Sequence, residues 1–426
     1  MEKLYAFFLN HPAVQTDTRA LKKGEIFFAL KGPHFNGNSY AKTALEKGAA
    51  GVVIDEPIGM EGENIFLVPD VLNCLQQLAL HHRKQFNIPF IAITGSNGKT
   101  TTKELIHAVL STTYKTYTTK GNLNNHIGIP LTILSIQKDA EIAIIEMGAN
   151  HQKEIASYCK YVLPTHGLIN NCGKAHLEGF GGVEGVKKGK GELYDFLAAD
   201  QGIAFVNSDL DYLLKMAEGI KQRVYYGNNL GSFKTTVFQN DPFLVLEITH
   251  PLVHQQKIFT KLVGEYNKPN VEAAMCIGEY FNIPFDKIRD AIEAYLPENA
   301  RSQWMEKGSN SIILDAYNAN PNSMQSALTN FAKQQLPHKI VFLGAMMELG
   351  DDSLNEHQEI VRLLQTLHFS NVILVGGDFE KTNHPYHFFK TVEQASAWLK
   401  LHTPKNSSIL IKGSRSIKME KLLEIL

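Results

Sequence analysis

A three-domain α/β fold with a mainly parallel sheet at its centre is predicted for this chain. Three observations predict it. The length, 426 residues, exceeds what one hydrophobic core holds. Short apolar runs alternate repeatedly with segments of helical period. The run Ile91-Ala92-Ile93-Thr94-Gly95-Ser96-Asn97-Gly98-Lys99-Thr100-Thr101-Thr102 carries an apolar strand into a Gly-Lys-Thr turn and then into a helix.

The elements follow in order. Glu25–Leu30 reads as a strand broken by Lys31-Gly32-Pro33, Tyr40–Gly48 as a helix ending at glycine, and Ala50–Ile54 as a second strand. Leu72–Phe86 has apolar residues at helical spacing and is punctuated by Asn87-Ile88-Pro89, which places a first boundary near residue 85. Phe90–Thr94, the helix after Lys99, Ala140–Met147, Gln152–Tyr158 and Gly167–Asn170 alternate as strands and helices. Such alternation predicts a mainly parallel sheet whose ligands gather at the carboxyl ends of its strands. After Pro297 the strands Ser311–Asp315, Lys339–Leu343, Asn371–Val375 and Ser408–Ile411 begin a new α/β pattern, placing a second boundary near residue 298. The domains expected are 1–85, 86–298 and 299–426.

Charge is balanced, 42 basic against 43 acidic residues, so no global field draws the chain to nucleic acid or to an anionic membrane. Any nucleotide must be held by a local site. Cys74, Cys159, Cys172 and Cys276 lack metal-ligand or paired spacing and read as reduced thiols, as expected of a cytoplasmic protein. No apolar run approaches a membrane span and no signal-peptide pattern opens the sequence, so neither membrane insertion nor secretion is expected.

The Gly95–Thr100 turn suits a polyphosphate. Glycines let backbone N–H groups approach the phosphates, and the helix N-terminus adds a favourable dipole. Lys99 would neutralise the outer phosphates and Thr100 would hold Mg²⁺. The general phosphate-loop pattern wants glycine where Ile93 stands. Glu146, directly after the apolar Ile142-Ala143-Ile144-Ile145, is a candidate for the metal, because a carboxylate beside four apolar residues needs a partner to stay ionised. His176, beyond a further strand end at Gly167–Asn171, could bind a metal through a neutral ring nitrogen, although a loop histidine taken singly is more often incidental. Lys187, Lys188 and Lys190 crowd one stretch of helix, as a solvated basic face, an anion site or a desolvated reactive amine.

Together these residues resemble the Mur ligase family, the ATP-dependent amide-forming enzymes of peptidoglycan precursor synthesis, over essentially the whole chain. The shortened loop Thr94-Gly95-Ser96-Asn97-Gly98-Lys99-Thr100 is similar to the family's own, which accounts for Ile93. The resemblance implies an N-terminal UDP-precursor-binding domain, a central ATPase domain and a Rossmann-like C-terminal ligase domain. It also implies ATP and two Mg²⁺ ions, with Thr100, Glu146, His176 and a carbamylated Lys190 as metal ligands and Lys187 as the fallback for the modified lysine. Gly264-Glu265-Tyr266-Asn267 through Asn270 resembles the motif that closes the central domain, implying Asn267 at adenine. Asn299-Ala300-Arg301 resembles a Gly-Arg element that brings Arg301 to the γ-phosphate. Leu314-Asp315-Ala316-Tyr317-Asn318-Ala319-Asn320-Pro321 resembles a third motif, implying Asp315 at the ribose and Asn318 in the nucleotide site.

Within the family, the Tyr317–Pro321 form points to members that join D-alanyl-D-alanine to a UDP-N-acetylmuramoyl-tripeptide. Gly121–Thr132 with Asn124 and Asn125, Leu343–Gly350 with His357, and Ile411–Ser416 through Met419-Glu420 look like their landmarks. Ala345 stands where an aspartate is expected. Thr16-Asp17-Thr18-Arg19 and Lys31 with Asn36 and Asn38 resemble the UDP-sugar segments. Glu192, Asp351 and Glu356 are unassigned candidate acids. A monomer is expected. The alternatives are a ligase adding another amino acid, a folylpolyglutamate-type ligase, or a nucleotide switch that joins nothing.

Overall fold

In the computed structural model, residues 1–57, 59, 61–251, 253–298 and 300–426 are described. The chain forms two compact units: residues 1–92 with 114–148 and 154–166, and residues 93–113 with 149–153 and 167–426.

The first unit opens with helix α1 (Glu2–Asn10) and a parallel sheet of β1 (Val14–Gln15), β2 (Ile26–Phe28), β3 (Gly51–Ile54) and β4 (Ile65–Leu67), in that order. Helix α2 (Ala41–Glu46) covers it, burying Ala41 and Ala44 against Phe27, Val52 and Ile54. Helix α3 (Val71–Arg83) starts where Asp70 accepts the Asn73 amide at 2.6 Å. Its end is tied down by Arg83, whose Nε and Nη2 donate to the carbonyls of Val162 and Leu163 at 2.8 and 2.9 Å while the guanidinium lies 3.7 Å over the Phe90 ring. Val162 closes helix α6 (Glu154–Val162), so this cation complements the negative end of a helix. Burial lowers the Arg83 pKa to about 10.

Strand β5 (Phe90–Thr94) leads to the phosphate loop and helix α4 (Lys99–Leu110). With β6 (Thr116–Thr118), β7 (Ile142–Glu146), β8 (His166–Ile169), β9 (Ile203–Asn207) and β10 (Gln222–Tyr226) the sheet order is β10-β9-β8-β5-β7-β6. The β6–β7 and β9–β10 pairs are parallel. Ile93, the departure from the general loop pattern, is a fully buried core residue of β5. Helix α5 (Gly128–Leu134) belongs to the first unit.

In the second unit, α4 packs on α9 (Lys268–Tyr280) and α10 (Phe285–Ala294). Helices α7 (Leu177–Phe180) and α8 (Val183–Ala199) follow β8. An antiparallel sheet, β11 (Lys234–Asn240), β12 (Leu244–His250) and β13 (Val253–Phe259), is an insertion that the alternating α/β rhythm did not announce. The C-terminal sheet has the order β14-β15-β19-β16-β17-β18, from β14 (Gln303–Lys307), β15 (Asn310–Asp315), β16 (Lys339–Gly344), β17 (Asn371–Val375), β18 (His387–Phe389) and β19 (Ser408–Lys412). Only the β14–β15 pair in it is antiparallel. Ile312, Phe342, Ile373 and Ile411 form its core, and α11 (Pro321–Lys333), α12 (Ser353–Leu367) and α13 (Val392–Leu401) connect its strands.

Three buried histidines have consequences for acid stability. Removal from water pushes the imidazole pKa values of His82, His166 and His357 down, that of His166 to about 4. The unfolded chain binds these protons near pH 6.5, whereas the native state keeps the rings neutral. Their contribution is therefore complete above pH 6.5 and is lost as the pH falls below it, for His166 down to about 4, by about 1.4 kcal/mol per pH unit for each proton taken up on unfolding. The urea midpoint is expected to be level near pH 7 to 8 and to fall on acidification, with a shallower slope in His166→Gln. A midpoint unaffected between pH 6.5 and 4 would contradict this.

Candidate active site

The phosphate loop is shaped by two glycines. Gly98 has φ 80°, and a Cβ there would stand 2.6 Å from Asn270 Oδ1; Gly95 has φ 148°, and its Cβ would meet Asn170 Cβ at 2.9 Å. Only glycine fits both the backbone and the space. Lys99 Nζ arches back to donate to the carbonyls of Gly95 and Ser96 at 2.7 and 3.2 Å, so the loop is closed around its own cation. Thr100 is buried in the first turn of α4, and Thr101 follows it.

A polar lattice backs the loop. The amides of Ser96 and Asn97 donate to Asn171 O and Oδ1 at 2.9 and 3.0 Å, and Ser96 Oγ meets the backbone of Gly173. Asn170 donates to Thr102 Oγ1 at 2.6 Å, and Thr102 donates to Asn270 Oδ1 at 2.9 Å. Asn170 Oδ1 is buried with no hydrogen-bond partner, an unsatisfied acceptor beside the loop. Asn267 donates to Val263 O and accepts from Asn270 Nδ2. Its amide is oriented from within the protein and retains further donor and acceptor capacity.

Lys190 projects from α8 into a closed chamber. The residue is 1% exposed, its Nζ donates to Ala149 O at 3.0 Å, and it lies 4.9 Å from the Phe180 ring centre. A Cβ at Gly189 would fall 2.4 Å from Phe180, so this glycine lets the ring close over the lysine. Lys187, one turn away, is by contrast partly exposed and pairs with Glu184 at 2.6 Å. His176 takes the left-handed conformation, φ 52°, before α7, and pairs with Glu348. That hydrogen bond holds the Glu348 carboxyl below its ordinary value.

Arg301 sits between two residues with positive φ, Ala300 at 55° and Ser302 at 49°. The family-like element has glycine where Ala300 stands, and an alanine there carries about 1 kcal/mol of backbone strain. Asn299, the first residue of that element, lies outside the described residues. The Arg301 guanidinium stacks 3.5 Å over Tyr317, and its Nε is buried with no partner. Asp315 receives Lys412 Nζ at 2.5 Å and the Ser302 amide at 3.1 Å. Asn318 Oδ1 accepts the Ala319 amide, and Tyr266, in the place of a histidine, bonds Ser302 Oγ at 2.8 Å.

In the first unit, Glu146 is 1% exposed, its Oε1 accepts from Asn124 Nδ2 at 2.7 Å, and its amide donates to Thr119 Oγ1 at 3.0 Å. Asn125 Oδ1 accepts the amides of Ile127 and Gly128 where α5 begins. Lys31 bridges Asp55 and Glu56 at 2.9 and 2.8 Å, Asn36 reaches Glu56, and Asn38 reaches Asp55. Thr16 and Asp17 donate their amides to Gln15 Oε1, Thr18 O accepts from Lys47, and Arg19 clasps Asp17, holding that exposed carboxyl at about 2.

The chain matches two family models, the Mur ligase middle domain over residues 93–278 and the Mur ligase, glutamate ligase domain over 300–415. It is 33% identical to the Bacillus subtilis UDP-N-acetylmuramoyl-tripeptide–D-alanyl-D-alanine ligase, covering 96% of this chain and 92% of that one. The chain belongs to the Mur ligase family. The Escherichia coli protein of the same name is 32% identical over 97% of this chain and 93% of its own. Among solved structures it is similar to MurF from Acinetobacter baumannii, with TM-score 0.86, 31% identity and coverage of 97% and 92%. It is also similar to MurF ligase from Thermotoga maritima in complex with ADP, with TM-score 0.86, 25% identity and coverage of 98% and 97%.

For a Mur ligase, the side chains that sequence reasoning missed are those that support its site. Asn170 was visible only as a strand-end residue, and Asn124, read as a substrate contact, is hydrogen-bonded to Glu146. Ala345 is fully buried at the end of β16, its carbonyl accepting the Ser414 amide. Of the three candidate acids, Glu356 is buried and pairs with Lys174 at 2.5 Å, Glu192 accepts the Lys153 amide, and Asp351 is exposed. His357 is wholly buried; its Nε2 accepts the Met346 amide while Nδ1 faces Ser353 O, a neutral ring that fixes the loop carrying Glu348. Among the described residues no helix is long and apolar enough to cross a membrane.

Proposed function

We propose that the chain is an ATP-dependent amide ligase that joins D-alanyl-D-alanine to UDP-N-acetylmuramoyl-tripeptide through an acyl phosphate. The observation that carries this reading is the near-full-length similarity to ligases bearing that name, 33% identity over 96% of the chain. The buried, partnerless Nε of Arg301 and the left-handed backbone at Gly98, packed too closely on Asn270 for any side chain, are what a polyphosphate guest needs.

In this reading a terminal carboxylate of the tripeptide, itself a poor electrophile, takes the γ-phosphoryl group of ATP and so gains a good leaving group. The amine of D-alanyl-D-alanine attacks the acyl carbon, forming the amide and releasing phosphate. Lys99 and Arg301 offset charge on the phosphoryl group. Gly95, Ser96, Asn97, Gly98 and Thr101 supply the cradle, with Asn267, Asp315 and Asn318 at the nucleoside. Thr100, Glu146, His176 and a carbamate on Lys190 are residue types that would hold Mg²⁺, which when bound would supply charge neutralisation along the phosphates. Carbamylation turns the Lys190 amine and CO₂ into an anion with release of a proton. Thr16, Asp17, Thr18, Arg19, Lys31, Asn36, Asn38, Asn124 and Asn125 serve the UDP-linked substrate. Residues 1–85, 86–298 and 299–426 are the corresponding domains, in a cytoplasmic monomer.

The purified protein is expected to release phosphate from ATP only when UDP-muramoyl-tripeptide and D-alanyl-D-alanine are both present. Release driven by a free amino acid, or without either substrate, would turn the assignment to a related ligase or a switch. Running the assay with lysine- and diaminopimelate-containing tripeptides identifies the substrate.

A further inference from the structure

We propose that Asn320, the N-cap of α11, and Asn322, in its first turn, are positioning residues that lock the phosphate loop and the loop after β8 into register for ligation. The inference deepens the ligase reading and rests on it for its kinetic arm alone.

Asn320 performs two tasks with one amide. Its Oδ1 accepts the Ser323 amide at 2.9 Å, capping α11 in a box that Ser323 reciprocates, while its Nδ2 donates to Asn97 Oδ1 at 2.7 Å. Asn97 in turn is bound through its amide to Asn171. Two residues on, Asn322 Oδ1 accepts the Lys174 amide at 2.6 Å, and Lys174 Nζ reaches Glu356 of α12. One helix turn thus grips the cradle at Asn97 and the segment leading to His176 at Lys174. Helix α11 is held at its far end as well: Asn240 donates to Asn330 Oδ1 at 2.6 Å, and the Gln335 amide donates to Asp241 at 2.7 Å. A helix pinned at both ends delivers its first turn as a rigid unit. Capping alone does not explain Asn320, because serine or aspartate would cap equally well; only a side chain with both an acceptor and a donor also reaches Asn97.

The test separates capping from positioning. Asn320→Ser keeps a cap acceptor and loses the reach to Asn97. Asn322→Ala removes the acceptor of the Lys174 amide, and Asn322→Asp restores it. On full-length protein, kcat is expected to fall about tenfold in Asn320→Ser and in Asn322→Ala, for one lost hydrogen bond each. KM for ATP and the thermal midpoint should hold, and Asn322→Asp should recover most of the rate. Asn97→Ala combined with Asn320→Ser should be no slower than the slower single variant. Hydrogen exchange, which needs no peptide substrate, should quicken at the Ser96 and Asn97 amides in Asn320→Ser and at the Lys174 amide in Asn322→Ala. Unchanged exchange at these amides overturns the proposal, as does a rate loss that tracks a lowered thermal midpoint. If the wild-type protein fails to ligate these substrates, the functional reading falls separately and the exchange arm still decides this one.

Discussion

Replacing Asp315 with alanine is expected to cost about 3–5 kcal/mol of stability, the penalty for leaving one partner of a buried ion pair uncompensated. Lys412 is 1% exposed, and its Nζ has Asp315 Oδ2 at 2.5 Å and the Asn318 carbonyl at 3.4 Å. Without the carboxylate the ammonium is a buried charge facing a carbonyl. Asp315 also accepts the Ser302 amide, directly after Arg301, where the backbone is strained. The variant therefore loosens the turn that presents the guanidinium. Urea unfolding should show the loss for Asp315→Ala and its partial recovery in Asp315→Ala combined with Lys412→Met, which removes the orphaned charge. The KM for ATP separates the two roles of Asp315. If the double variant regains stability while KM stays raised, the carboxylate contacts the nucleotide as well as anchoring Lys412; if both recover together, its role is structural. A single variant within about 1 kcal/mol of wild type would show that the pair is not a buried anchor.

The legibility of the chain followed the range of its interactions. β5, β7 and β17 were readable because short apolar runs bounded by turn residues are local signals. The cradle was readable because Gly95, Gly98, Lys99 and Thr100 fall within one turn of sequence. Arg301 and Asp315 were placed through resemblance alone, since nothing local marks them. The supporting residues were not legible. The adjacent Asn170 and Asn171 lie far in sequence from Asn270, and all three meet Thr102 or Asn97 only because β8 and α9 bring them there. The Lys412 to Asp315 pair likewise depends on β19 lying beside β15, a strand order that periodicity does not encode. The antiparallel insertion escaped because Lys234–Asn240 and Leu244–His250 carry no clean alternation of apolar and polar residues. Lys187 and Lys190 could not be told apart by spacing, three residues apart on one helix; burial separates them.

That separation yields the second large effect. Lys190→Met keeps an unbranched apolar stem in the chamber under Phe180 and removes the amine, so the fold should persist while kcat falls by about 10²–10³, the scale of losing one group that stabilises the transferring charge. Lys190→Ala is the poorer probe, because the vacated volume beside Phe180 also destabilises. Lys187→Met should leave kcat within about threefold, since its ammonium is partly exposed and paired with Glu184. Chemistry at the amine itself has an independent signature. If Lys190 acts as a carbamate, wild-type activity should fall on exhaustive CO₂ removal and return with bicarbonate, ¹³C-bicarbonate should give a carbamate carbon signal, and Lys190→Met should show neither response. An active, CO₂-equilibrated enzyme with an unmodified Lys190 amine would leave the lysine as a cation that donates to Ala149 O, and the site would then need another anion to hold the metal. A larger loss in Lys187→Met than in Lys190→Met would move the modified residue to the exposed position. The Lys190 amine is buried and 3.0 Å from Ala149 O, where burial disfavours an unpaired charge of either sign, so a carbamate there would persist only opposite a cation such as Mg²⁺.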